Sequence, residues 1–127
     1  MRASRRGLIL FAHGARDARW AEPFERLRDL VAGRVNEVPV RLAFLEMMQP
    51  DLAGAADALV ADGCDALTVV PIFLGQGSHL RRDLPERVAA LAARHPQVTI
   101  ACADAAGEDE AVLCALADYC VGRLAVA

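Results

Sequence analysis

Gly7-Leu8-Ile9-Leu10-Phe11-Ala12, running into His13-Gly14-Ala15-Arg16-Asp17, is the stretch on which the fold turns. An unbroken apolar run ending in a small, charged turn suits a strand buried on both faces of a parallel sheet. Three more runs of this kind follow: Pro39 to Leu45 (PVRLAFL), Ala66 to Leu74 (ALTVVPIFL) and Gln97 to Ala101 (QVTIA). Helical spacing separates them. Trp20 to Val35 places Phe24, Leu27, Leu30, Val31 and Val35 on one stripe, and Asp51 to Asp62 is alanine-rich and closed by Gly63. Asp83-Leu84-Pro85-Glu86 has the capping aspartate, early proline and returning glutamate of a helix start, which predicts a helix from there to about Arg94. A last helix begins after Gly107, with Glu108, Asp109 and Glu110 where a helix dipole favours negative charge. Alternating strands and helices joined by right-handed crossovers predict an α/β protein. The expected form is a three-layer α/β/α sandwich on a four-stranded parallel sheet of order 2-1-3-4.

The whole chain, 1–127, reads as a single domain, with residues 1–6 expected as a flexible extension. Hydrophobic residues make up 55% and charged residues 24%, which supports a sizeable core and excludes a disordered chain. The positive charge is all arginine, and three of the 14 arginines stand among the first six residues. The remainder is strongly acidic, with 17 carboxylates in the chain, which argues against a nucleic-acid-binding body. No apolar run is long enough to span a bilayer, and Gly7 to Phe11 is too short for a signal segment. The expectation is a cytoplasmic protein with no nucleic-acid or membrane partner. Cys64, Cys102, Cys114 and Cys120 lack the spacing of a zinc or dithiol site and are expected to be buried free thiols.

In open α/β sheets ligands bind beyond the carboxyl ends of the strands, where strand order reverses. For order 2-1-3-4 that crevice lies between the first and third strands. It would bring His13 together with His79 in the loop Leu74-Gly75-Gln76-Gly77-Ser78-His79. Two imidazoles there can hold a borderline metal ion, or one can accept a proton near neutral pH. The plainer alternative is a pair of hydrogen-bonded structural histidines. The glycines beside both, which let backbone come close, favour function. Gly75-Gln76-Gly77 is not completed to a nucleotide fingerprint, and the chain has no lysine. Arg16, Arg19, Arg81 and Arg82 either hold carboxylates or form a solvated rim. Glu46 ends the second strand on the same edge, Trp20 reads as helix packing, and His95 reads as a surface cap.

Taken jointly, these motifs resemble the small form of the CbiX family, the sirohydrochlorin chelatases. The family's His-Gly-Ser-Arg-Asp element is matched by His13-Gly14-Ala15-Arg16-Asp17, and its Phe-Leu-Glu element by Phe44-Leu45-Glu46 with Pro50 beyond. Its long third-strand element is matched by Val69-Val70-Pro71-Ile72-Phe73-Leu74, then Gly77-Ser78-His79-Leu80-Arg81-Arg82-Asp83-Leu84-Pro85. The likeness covers about residues 7 to 95 in order and spacing. Ala15 stands in place of the usual serine, Ala12 in place of a glycine, and Gln49 where an acidic residue often precedes the proline.

The resemblance implies a chelatase-like fold and insertion of a divalent metal into sirohydrochlorin without a nucleotide. Co²⁺ is the preferred metal and Fe²⁺ the other candidate, with Ni²⁺ also accepted by such ligands; the pathway would be cobalamin or siroheme biosynthesis. It implies His13 as metal ligand and proton acceptor and His79 as second ligand. Gln49, Leu74, Gly75, Gln76, Gly77 and Ser78 would line the macrocycle, with Arg81 and Arg82 adding charge attraction. A homodimer with facing crevice edges would rebuild the two-lobed cleft of larger chelatases. A histidine phosphatase would need an arginine where Ala12 stands. The remaining alternatives are a non-catalytic tetrapyrrole- or metal-delivery module and a purely structural domain. For the helix after Gly107, packing into the core is the simpler expectation and a dimer contact is the alternative.

Overall fold

The computed structural model describes residues 4–124, apart from the side chain of His79. Four parallel strands, β1 (Arg6–Ala12), β2 (Val40–Phe44), β3 (Ala66–Pro71) and β4 (Thr99–Cys102), form one sheet in the order β2-β1-β3-β4. Leu10 lies opposite Leu42 on one side and Val70 on the other, so the first strand sits centrally. The expected sheet and its order are observed. Ile9, Phe11, Leu67 and Val69 are almost wholly buried, each contributing about 1.5–3 kcal/mol of apolar transfer.

Alternate residues of each strand feed two cores. Ile9, Phe11, Ala43, Leu67 and Val69 face α2 (Leu52–Ala61) and α3 (Ser78–Arg94). Leu10, Ala12, Leu42 and Phe44 face α1 (Glu22–Ala32). Alanine at 55 and 56 lets α2 come close to the sheet, and both residues are buried. Asp51 caps α2 by accepting from the Gly54 amide at 2.8 Å, and Gly63 leaves it at φ 96°. A 3-10 turn at Ala18–Ala21 precedes α1, so Trp20 packs on Phe24 (4.5 Å between rings) just before the helix rather than within it.

Three expectations need correction. α3 begins at Ser78, with Pro85 inside it, rather than at Asp83. Leu80, Leu84 and Leu91 share one buried stripe, and that packing outweighs the amide Pro85 cannot donate. The last helix, α4 (Glu110–Leu124), carries no buried residue and so does not pack into the core. Only Cys64 is a buried thiol; Cys102, Cys114 and Cys120 are exposed, because the edge strand and α4 are. Of the extension expected over 1–6, residues 1–3 lie outside the described residues. Ser4 and Arg5 bond the Asp65 carboxylate at 2.8 Å, and Arg6 opens β1.

Asp57 of α2 clamps the end of α3, meeting Arg94 at 2.6 Å and the His95 ring at 2.8 Å. The Arg94 guanidinium holds its carboxyl down at about 2. A carboxyl depressed in the folded state stabilises above its unfolded value, near 3.8, and loses that contribution as pH falls through about 2. Asp57→Asn is therefore expected to lower Tm by ~4 °C at pH 7, where solvent screening leaves the clamp about 1 kcal/mol. The gap should close between pH 4 and pH 2 in thermal melts. An unchanged gap at pH 2 would assign the effect to packing instead.

Candidate functional site

β1 delivers His13 to the carboxyl edge of the sheet. The chain is held against the end of β2 by paired backbone bonds, Leu45 N–H to the Ala12 carbonyl at 2.8 Å and Glu46 N–H to the His13 carbonyl at 3.0 Å. Gly14 makes the next turn at φ 91°, and a Cβ there would run into the Glu46 carbonyl oxygen. Only glycine fits this turn.

The His13 side chain is exposed, and its ring lies 4.3 Å from the Phe73 ring, centroid to centroid, tilted by 43°. Phe73 is itself buried and meets Phe11 edge-on at 5.9 Å. A buried aromatic pair from β1 and the end of β3 thus seats an exposed imidazole where strand order reverses. Phe73 belongs to the third-strand motif, whose residues alone do not mark it as the seat of the histidine. The signal is an aromatic residue two positions beyond Pro71, the β3 partner of the β1 aromatic Phe11.

The segment after β3 is fixed at both ends. Ile72 N–H bonds the Phe11 carbonyl at 2.8 Å, and Gly107 N–H bonds the Phe73 carbonyl at 2.8 Å. A Cβ on Gly107 would overlap the backbone of Leu74, so this glycine permits the approach. Leu74 itself is 69% exposed, and Met47, at the corresponding end of β2, is 60% exposed. Two free apolar side chains therefore flank the edge that carries His13.

The other expected site residues divide. Ser78 and His79 form the first turn of α3, which places the backbone of His79 at the same edge; its side chain lies outside the described residues. Gly75 and Gly77 have open space around them. Gln76 borders a groove between α3 and β4 of about 540 Å³, and its carbonyl accepts from Arg81 Nε at 3.4 Å. Gln49 lines a different cavity of about 620 Å³, beside β2, with Phe44, Met48 and Pro50. The loop after β3 does not line that cavity. The Gln49–Pro50 peptide is cis.

The charged residues are mostly engaged with one another. Arg19 bonds Asp17 at 2.8 Å, which lowers the Asp17 carboxyl below its ordinary value, and Arg81 meets Glu108 at 3.5 Å. Glu46 and Arg82 are exposed. No three His, Cys, Asp or Glu side chains come together as a metal site among the described residues. Among the described side chains, the exposed His13 imidazole and the exposed Glu46 carboxylate are the candidate ligands at this edge.

The CbiX family model matches residues 7–120. The chain is 30% identical over 114 residues to the sirohydrochlorin cobaltochelatase of Saccharolobus solfataricus, covering 84% of this chain and 86% of that protein. It is 35% identical over 77 residues to the sirohydrochlorin ferrochelatase of Bacillus subtilis, which is 60% of this chain; the match spans only 30% of the Bacillus protein's length. Its fold is also similar to the crystal structure of a cobalamin (vitamin B12) biosynthesis CbiX protein from Marinobacter aquaeolei VT8. That likeness has a TM-score of 0.86 at 34% identity and covers 96% of this chain and 99% of the other.

Proposed function

The chain belongs to the CbiX family, and on that footing we propose that it is a sirohydrochlorin chelatase, inserting Co²⁺ or Fe²⁺ into the tetrapyrrole without a nucleotide. The observation that carries this reading is the exposed His13 imidazole seated on buried Phe73 at the point where strand order reverses. Insertion exchanges two pyrrole N–H protons for one dication, so the ring's charge is unchanged and both protons need an acceptor. The ion must also shed water in steps, which a neutral nitrogen ligand permits without trapping it. His13 holds the ion and, once the ion has passed to the ring, accepts one of the two protons; the second passes to solvent water or to His79, the second ligand.

The flat macrocycle has an apolar face and a rim of carboxylates. Met47 and Leu74 offer the matching apolar surface, and the open backbone from Gly75 to Ser78 offers amides to the rim. Arg82 adds attraction, whereas Arg81 must first leave Glu108. Gln49 lines the macrocycle only if the substrate reaches past Phe44 toward the β2 cavity.

The functional unit is a homodimer. A protein of which 77 aligned residues are 30% has room for two lobes of this size, and two copies of this chain would provide the same number.

The test is an anaerobic absorbance assay with sirohydrochlorin and Co²⁺, Fe²⁺ or Ni²⁺, each corrected for spontaneous insertion. Turnover without nucleotide is expected, fastest with Co²⁺, and His79→Ala should slow it by about 10-fold or more. Histidine-dependent metal binding with no acceleration would establish the delivery module in place of the enzyme.

A further inference from the structure

A helix without a sheet and a strip of sheet without a helix occur in the same chain. Strand alternation puts Leu8, Thr68 and Ala101 on the α1 face, since Leu8 pairs with Thr68 and Thr68 with Ala101. Their neighbours Leu67, Val69 and Ile100 belong to the opposite core. α1 covers the β2 side of its face, where Glu25 and Arg28 line a cavity with Val40, Arg41 and Leu42. The opposite flank of α1, with Pro23, Leu27 and Leu30 between the charged Arg26 and Asp29, borders an open depression of about 670 Å³ and leaves Leu30 60% exposed. Beyond it Thr68, Thr99 and Ala101 are exposed. An apolar helix flank beside a bare two-strand strip is the slot that a further helix fills in a doubly wound layer.

α4 has the dimensions and chemistry for that slot. Its 15 residues are about 22 Å long, and from Ala111 to Ala117 no side chain is charged. A helix apolar on every side belongs in an interior, yet α4 has no buried residue, and its main neighbour within the chain is the turn at 106–108. Its departure point is firmly tied. Gly107 bonds the Phe73 carbonyl, and Asp109 accepts from the Val112 amide at 3.2 Å to start the helix. The helix therefore leaves from the carboxyl edge of the sheet, next to the loop after β3, and away from its own β3–β4 strip.

We infer that α4 is exchanged between two copies of the chain, each laying it on the partner's β3–β4 strip beside the partner's α1. This rests on the homodimer proposed above and specifies its contact. The exchange is self-complementary and closes after two copies, as a two-fold assembly requires. Because α4 departs beside Leu74, it also draws the two carboxyl edges toward each other.

Two variants separate the halves of the contact. Leu116→Asp spoils the donated helix, and Ala101→Arg blocks the receiving strip at an exposed position that leaves the fold intact. By sedimentation velocity at matched concentration, the parent should be a dimer of 13.6 kDa chains and each variant alone a monomer. Mixed in equal amounts, the variants should form a heterodimer, because one retains a working helix and the other a working strip. Circular dichroism of each variant verifies that it is folded. A dimer that survives Ala101→Arg, or variants that stay monomeric when mixed, would overturn the exchange and leave the homodimer reading standing. A monomeric parent would overturn both.

Discussion

His13→Ala is expected to reduce catalysed metal insertion by about 100-fold or more, leaving little beyond the spontaneous rate. In the proposed mechanism the substitution removes a metal ligand and a pyrrole-proton acceptor in one change. Stability should hardly move. The imidazole is exposed, its loss opens no cavity, and the backbone bonds of His13 and Ala12 to β2 survive. Tm within about 2 °C of the parent, together with lost turnover, would locate the defect in the chemistry. His13→Ala retaining full insertion would remove His13 from the mechanism. Phe73→Leu gives the complementary test. It keeps an apolar side chain under the ring while abolishing the aromatic seat, so it should cost activity through positioning, with a far smaller effect than losing the imidazole and a modest loss of Tm from the reduced packing on Phe11.

The central sheet was legible because its strands are apolar throughout. Ile9, Phe11, Leu67 and Val69 have no polar alternative, and crossover handedness then leaves few strand orders. His13 was legible for a related reason, since it directly follows such a strand and precedes a glycine. The start of α3 was not. Asp83-Leu84-Pro85-Glu86 carries sound local capping signals, but Leu80 is drawn into the same core as Leu84 and Leu91, and burial extends the helix back to Ser78. Local capping is worth about 1 kcal/mol, less than a buried leucine. That extension matters for the site, because it takes Ser78 and His79 out of the loop and into a helical turn. α4 misled for another reason. Apolar composition marks a helix for burial without stating against what, and its three charged residues, Glu110, Asp118 and Arg123, give no register for a packed face.

Gly14→Ala is expected to destabilise the protein by about 2–4 kcal/mol and to take most of the activity with it. Two costs combine at this position. The residue sits at φ 91°, which an L side chain adopts only under strain, and the added Cβ meets the Glu46 carbonyl, a backbone atom with no rotamer by which to yield. Relief requires the turn after β1 to separate from the end of β2, breaking the bond from Glu46 N–H to the His13 carbonyl. The imidazole then loses its place over Phe73 even though its chemistry is unaltered. Gly75→Ala is the control, because a Cβ at 75 meets nothing within 4 Å. It should unfold in urea within about 0.5 kcal/mol of the parent. Equal midpoints for the two variants would show that the turn accommodates a side chain. In that case the geometry holding His13 would come from Phe73 and the β2 ladder, not from the glycine.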